Sequence, residues 1–372
     1  MNSPTIFCPN FACPARGQVN ANNIHPHSQI EKRWRCDVCG KTFSINKGTI
    51  FYRLKTDPQI VLLVIALLAY GCPLEAIVRA FGFDRRTVKK WWQRAGNQCE
   101  AVHKQYVENA QLDLQQVQAD EIKVKVWGRS LWIGLSMMVS TRLWLGGVIS
   151  PSRDKAMIAT LIGTIRKVAL CRPLLIAVDG LPHYIKAIGR AFRTPYHQGK
   201  RCRPRLVAWP DVHIGRVIKR KIDGKLQIER QLVHSCQAVV AGLIAKSQGK
   251  AGVLNTAYIE RLNATFRQRL VWLSRRSRVL AHQTATLTAG MYIVGCFYNF
   301  CDTHKSLRIR LAYGSFNQRW VQRTPALAAE LTDHIWSHQE LLSLPVPPPR
   351  WQPPKQRGRP SKELQSLIDR WC

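Results

Sequence analysis

The sequence predicts an α/β protein: a mixed β-sheet domain preceded by two small N-terminal modules. Three observations carry this. Apolar runs of strand length alternate with helix-length runs across residues 113–340. Four cysteines fall in two close pairs within residues 1–50, and residues 56–112 show helical periodicity throughout.

The totals narrow the function. The chain has 372 residues, with 56 Lys and Arg against 22 Asp and Glu, for a formal charge of +34. An excess of that size repels itself in a compact fold and points to a polyanionic partner. Nucleic acid is the leading candidate, and an anionic membrane surface is the second. A hydrophobic share of 46% excludes a disordered basic tail as the whole protein. The apolar stretches Ile60–Tyr70, Leu131–Ser150 and Thr284–Cys301 are too short, interrupted by Arg142, or too rich in Thr, Gly and Ala for membrane spans. Twelve unevenly placed cysteines and no signal peptide favour a reducing cytoplasm, beside the nucleoid, over a secreted disulfide framework.

Residues 1–50 hold Cys8-x4-Cys13 and Cys36-x2-Cys39. Two close thiolate pairs can close a tetrahedron around one Zn²⁺, and a segment with so few core residues needs such a staple. Trp34 and Phe43 flank the second pair and can pack around the knuckle. A zinc ribbon follows, with Cys8, Cys13, Cys36 and Cys39 as its ligands.

Residues 56–112 read as helices. Pro58–Tyr70 forms the first. Pro73 suits the opening of a second, and Gly82 its end. Asp84 caps a third, whose start carries Arg85, Arg86, Lys89 and Lys90, while Val88, Trp91 and Trp92 supply its buried side. Helix, short turn and basic helix form a helix-turn-helix module able to enter a DNA major groove.

In residues 113–340, Val117–Val126, Trp132–Val139 and Leu143–Ile149 read as strands and Ser152–Val168 as a helix. Leu174–Val178 is a continuous apolar strand ended by Asp179-Gly180, and Leu181–Phe192 is helical again. Three strands, a helix, a strand and a helix is the order of a ribonuclease-H-like domain. Asp120 then lies on the first strand and Asp179 at the end of the fourth, where the two can converge. Glu121 points to the opposite strand face and reads as a salt-bridge or edge residue. A third acid comes from the helix over Asn255–Arg275, whose apolar stripe is Ile259, Leu262, Phe266, Leu270 and Leu273. Glu260, Asn263 and Arg267 share an adjacent face, so Glu260 can meet the aspartates while Arg267 and Asn263 position a phosphate.

Three hard carboxylates suit two Mg²⁺ or Mn²⁺ ions about 3.5–4 Å apart, which serve the attacking and leaving oxygens of a phosphodiester. Asp211 and Glu229 are weaker third acids, because neither sits on a convincing helix. His183, His197, His213 and His304 read as surface or packing residues.

These residues resemble a known family. Ala119-Asp120-Glu121, Val178-Asp179-Gly180-Leu181-Pro182-His183-Tyr184 and Ile259-Glu260-Arg261-Leu262-Asn263-Ala264-Thr265-Phe266-Arg267 look like the signature segments of bacterial insertion-sequence transposases of the DDE type with an N-terminal zinc ribbon. Leu270–Ser277 and Tyr298–Arg308 are similar too, and the likeness covers most of residues 5–340. It implies that Asp120, Asp179 and Glu260 are the catalytic metal ligands. It also implies that Arg267 matches the basic residue seven positions after the glutamate, and that the partners are double-stranded element ends (terminal inverted repeats) and target DNA. Bringing two ends together implies a homo-oligomer. A catalytically inactive DNA-binding regulator and a ribonuclease-H-fold endonuclease are the alternatives.

The spacing departs from a minimal fold of this kind. About 80 residues separate Asp179 from Glu260, so an insertion is expected around residues 195–250. Part of it reads as a hairpin, Arg216–Ile222 and Lys225–Val233 about an Asp223-Gly224 turn. Its basic residues Arg216, Lys219, Arg220, Lys221 and Lys225 suit either DNA or solvent. Arg275, Arg276 and Arg278 form a basic cluster beyond the third acid. Residues 343–372, rich in Pro and basic residues, read as an extended or disordered tail. There Arg357-Gly358-Arg359-Pro360 resembles a minor-groove hook or serves as a plain basic linker.

Overall fold

The computed structural model describes residues 6–197, 204–274, 283–313, 319–355 and 358–372. Two compact units form, residues 1–61 with 339–372 and residues 62–338.

In the first unit, β1 (Ile24–Ser28), β2 (Arg33–Cys36) and β3 (Thr42–Ser44) make an antiparallel sheet in that order. Gly40 turns the chain between β2 and β3 at φ +66°, a conformation that favours glycine, and its N–H bonds the Cys36 carbonyl at 2.8 Å. Cys8, Cys13, Cys36 and Phe43 are buried together, with Trp34 packed against them.

The tail departs from the sequence expectation. Lys362–Trp371 is a helix capped by Ser361, which accepts from the Leu364 N–H at 3.2 Å. Its Trp371 is buried in the same cluster as the cysteines. Arg16 donates to the carbonyls of Pro349 and Arg350, and Gln18 to that of Trp371. The Pro- and Arg-rich composition concealed a helical stripe of Leu364, Leu367 and Trp371.

In the second unit, α1 (Pro58–Ala69) precedes α2 (Leu74–Phe81) and α3 (Arg85–His103). Gly82 ends α2 at φ +68°, and Asp84 caps α3 by accepting from the N–H groups of Arg86 and Thr87 at 2.8 and 3.1 Å. The turn chemistry is thus as the sequence predicts. Beyond its first turns, α3 becomes a core helix in which Val88, Trp91, Trp92, Ala95 and Cys99 are all buried.

The sheet contains β4 (Gln116–Val126), β5 (Arg129–Met138), β6 (Trp144–Ser150), β7 (Leu174–Val178), β10 (Val212–Ile222) and β11 (Lys225–Val233), in the order β11-β10-β7-β4-β5-β6. Between β7 and β10, β8 (Arg193–Tyr196) and β9 (Arg205–Ala208) form a separate two-stranded ribbon. β5 is antiparallel to both β4 and β6, whereas β7 runs parallel to β4 and β10 parallel to β7. The architecture is mixed α/β.

The predicted hairpin exists, with Ile222 opposite Lys225 across Asp223 and Gly224, both at positive φ. It is not wholly an insertion. The first half of β10 is a core strand, with Ile214 and Val217 buried, and only its distal half and β11 project outward. The chain spacing alone could not separate a further core strand from an added loop.

Helices α4 (Lys155–Val168), α5 (His183–Ala191), α6 (Gln237–Gln248), α7 (Ala257–Arg269) and α8 (Thr284–Cys296) cover the sheet. Val240, Leu243 and Ile244 of α6 pack with Leu175, Ala177 and Val217. Gly96 of α3 lies so close to α8 that a Cβ there would stand 2.3 Å from the Ala289 Cβ. No helix among the described residues is long and apolar enough to cross a membrane.

Candidate functional site

Strand register aligns the two aspartates. Gln118 of β4 pairs with Ala177 of the parallel β7, and Asp120 and Asp179 each lie two residues further along. One oxygen each from Asp120, Glu121 and Asp179 come within 4.8 Å of one another, a set able to hold a metal ion. Glu121 is the member that the sequence reading set aside. Its ion pair was expected, since Arg153 donates to it at 2.8 Å from Nε. Its membership of the acidic cluster was not, because alternation along a strand was taken to separate neighbouring carboxylates.

Glu260, in the first turn of α7, lies outside that cluster of three. It accepts from Thr256 at 2.5 Å and from the Lys219 ammonium of β10. Asn263, expected at a phosphate, instead donates to Asp120 at 2.8 Å and is itself buried. Gln118 accepts from the Ile259 N–H at 2.9 Å and donates to the Asn255 carbonyl at 2.7 Å, so the strand of Asp120 holds the start of the helix of Glu260. Arg267 is half-buried two turns further along α7.

Electrostatics follow from this packing. Burial, then the charges of Glu121, Asp179 and Glu260, pushes the Asp120 carboxyl up from 3.8 to about 6. Burial also raises Glu121, against the opposing Tyr184 hydroxyl and Arg153. For Glu260, burial acts upward, but hydrogen bonds from Lys219 and Thr256 outweigh it and leave the carboxyl below its ordinary value. Closely set acids that resist ionising together are suited to receive a multivalent cation. Hard oxygen donors fit Mg²⁺ or Mn²⁺.

Sequence reasoning missed Arg153 and Tyr184. Arg153 precedes α4 and reaches Asp179 at 2.6 Å and Glu121 at 2.7 Å. The Tyr184 hydroxyl of α5 donates to Glu121. Tyr184 stands in a quoted signature segment, but no pattern in the chain links Arg153 to either acid. No histidine joins the metal-capable groups among the described residues, nor does Asp211 or Glu229. His213 is buried, His183 and His304 are half-buried, and His197 is exposed.

The four N-terminal cysteines gather as their spacing predicts. Cys8 and Cys39 sulfurs are 3.7 Å apart, and those of Cys13 and Cys36 are 3.9 Å apart. A tetrahedron with Zn–S bonds of about 2.3 Å needs sulfur separations of about 3.8 Å. The four thiols therefore fit one zinc ion. Burial raises the Cys13 thiol to about 12, whereas hydrogen bonds outweigh burial at Cys39 and bring it to about 7.

The basic residues expected at DNA divide. Arg86, Lys89 and Lys90 are exposed at the start of α3, and Arg85 there pairs with Glu75 of α2 at 2.6 Å. Arg359 is exposed before the C-terminal helix. Arg275, Arg276, Arg278 and Arg357 lie outside the described residues.

No known protein family matches the chain, and no curated protein matches it either.

Proposed function

We propose that this protein is a DNA transposase whose ribonuclease-H-like domain cuts and joins strands with divalent metal held by Asp120, Asp179 and Glu260. The reading is carried by one observation: parallel pairing of β4 and β7 brings Asp120 level with Asp179, at the point where β7 ends. The strand arrangement supports it, since three antiparallel strands are followed by two parallel ones, with the acids on the first and fourth. Glu260 supports it by acting on Asp120 from the first turn of α7. The +34 charge supports a polyanionic substrate.

Bound Mg²⁺ or Mn²⁺ supplies Lewis-acid stabilisation of the attacking and leaving oxygens. The chain's own residues do the rest. Asp120 and Asp179 present oxygens from a rigid sheet, Asn263 fixes the Asp120 carboxylate, and Gln118 sets the height of α7. Arg267 lies on the same helix to meet a phosphate. Arg86, Lys89 and Lys90 grip the element ends through a basic helix start, with Arg85 anchored to α2. The cysteine module holds Zn²⁺ as a structural staple, and the chain acts as a homo-oligomer on paired ends. On this reading the protein works on cytoplasmic, nucleoid-associated DNA.

A strand-transfer assay on the DNA flanking the gene tests the reading. Wild type with Mg²⁺ or Mn²⁺ is expected to nick at terminal inverted repeats and join the freed 3′ ends to target DNA. Asp120→Ala is expected to bind the ends without cutting. Binding without cleavage by wild type marks an inactive regulator, and cleavage without joining marks an endonuclease of the same fold.

A further inference from the structure

The carboxylate site carries its own cations. Arg153 stands between Glu121 and Asp179, with one terminal nitrogen 2.7 and 2.6 Å from their oxygens. Lys219 pairs with Glu260. The two cations come from separate elements, the loop before α4 and the outer half of β10, and they engage different acids. Asp120 pairs with neither cation and accepts from the neutral Asn263 amide instead. Four carboxylates thus face two side-chain cations, and the site stays short of positive charge.

We propose that Arg153 and Lys219 are resident counter-ions of this site, which the catalytic cations displace and which then bind backbone phosphates of the DNA being processed. The proposal rests on the transposase reading of the same acids.

Competition for oxygens drives the exchange. A cation shared by Asp120 and Asp179 claims the Asp179 carboxylate that Arg153 now occupies. Arg153 does not drift away, because its Nε holds Glu121 at 2.8 Å and its guanidinium lies 5.4 Å from the Trp132 ring centre. Its terminal N–H groups are left at the rim of the site, in a fork that matches phosphate oxygens. Lys219 is released as a compact charge on a part-exposed hairpin strand beside Arg220 and Lys221. Loading also reverses the local charge: two divalent ions match the four carboxylates, and Arg153 and Lys219 then leave a positive excess. The site then attracts the phosphates it must hold. Metal loading and DNA grip become one coupled step.

Two measurements on the full chain test this. The first is Mn²⁺ binding followed by electron paramagnetic resonance, with no DNA present. An exposed ion pair stabilises by about 0.2–1 kcal/mol, so Lys219→Met is expected to bind Mn²⁺ up to about fivefold more tightly than wild type. The second is the salt dependence of affinity for a fluorescent duplex, in EDTA and in non-catalytic Ca²⁺ at matched ionic strength. Each phosphate contact adds about 0.9 to the slope, so Ca²⁺ is expected to steepen the wild-type slope by about 1.8, and that of Lys219→Met by about 0.9. Arg153→Gln, checked for folding by circular dichroism, is expected to behave like Lys219→Met in the slope.

Mn²⁺ affinity in Lys219→Met equal to or weaker than wild type overturns the proposal, as does a wild-type slope that Ca²⁺ leaves unchanged. If Mn²⁺ binding persists undiminished in Asp120→Asn, the acids are not the metal site, and the transposase reading fails with the proposal. If binding depends on Asp120 while the Lys219 and Arg153 effects are absent, only the counter-ion exchange fails.

Discussion

The Gln118 side chain accepts a hydrogen bond from the Ile259 N–H at 2.9 Å, tying the strand of Asp120 to the first turn of the helix that carries Glu260. Gln118 is fully buried, and its amide nitrogen is spent on the Asn255 carbonyl. Gln118→Leu leaves a helix N–H without its partner, a loss of about 1–3 kcal/mol. Thermal unfolding is expected to shift down accordingly. Strand cleavage is expected to fall further than unfolding explains at a temperature where the variant stays folded. Unchanged cleavage in a destabilised but folded variant contradicts a positioning role.

The Asp120 carboxyl gives the site a pH signature. Its folded-state value is raised from 3.8 to about 6, so the folded chain holds this proton more tightly than the unfolded chain does. This group's contribution to stability therefore falls as pH rises from about 4 to about 6, and is flat above. Metal binding needs the anion, so Mn²⁺ affinity is expected to climb through pH 6 and level off above it. Asn263→Ala removes the donor to the charged form and is expected to move that climb to higher pH. Titration of Mn²⁺ affinity between pH 5 and 8 checks both, and a flat profile rules out control by Asp120.

How much was legible follows from the range of each interaction. Short-range chemistry was readable: Gly82 and Asp84 punctuate α2 and α3, Asp223-Gly224 closes the hairpin, and paired cysteine spacing brings four sulfurs together. Asp179 was readable because it closes an apolar strand, and Asp120 because it stands on a strand that can neighbour that one. Arg153 was not, since its role depends on a loop meeting two strands far from it in sequence. Lys219 was seen only as one of several hairpin cations, because the core position of β10 is set by parallel pairing to β7. The C-terminal helix was hidden by composition, although Leu364, Leu367 and Trp371 already stood at helical spacing.

That helix packs against the N-terminal cysteine cluster. Trp371 is buried against Cys8, Cys13 and Cys36. Trp371→Ala is expected to destabilise the unit by about 3 kcal/mol, the scale of a large aromatic truncation. Chelation or Cys36→Ser is expected to expose residues 344–355 to limited proteolysis in the same way. Proteolysis that is indifferent to both changes separates the tail from the cysteine cluster.

The α3–α8 contact depends on a missing side chain. A Cβ at Gly96 would stand 2.3 Å from that of Ala289 and 2.5 Å from its Cα, so the helices must part to accept it. Gly96→Ala is expected to lower stability by about 1–3 kcal/mol despite alanine's better helix propensity. A chemical-denaturation midpoint equal to or above wild type contradicts the close approach.

The central claim is that Asp120 and Asp179 hold the metal that acts on DNA, and exchanging oxygen for sulfur tests it most directly. Asp120→Cys presents a soft thiolate, a poor ligand for Mg²⁺ and a better one for Mn²⁺. DNA cleavage by this variant is expected to be lost in Mg²⁺ and partly restored in Mn²⁺, while wild type cuts in both. Wild-type cleavage by the variant in Mg²⁺, or equal loss in both metals with the fold and DNA binding intact, contradicts the assignment.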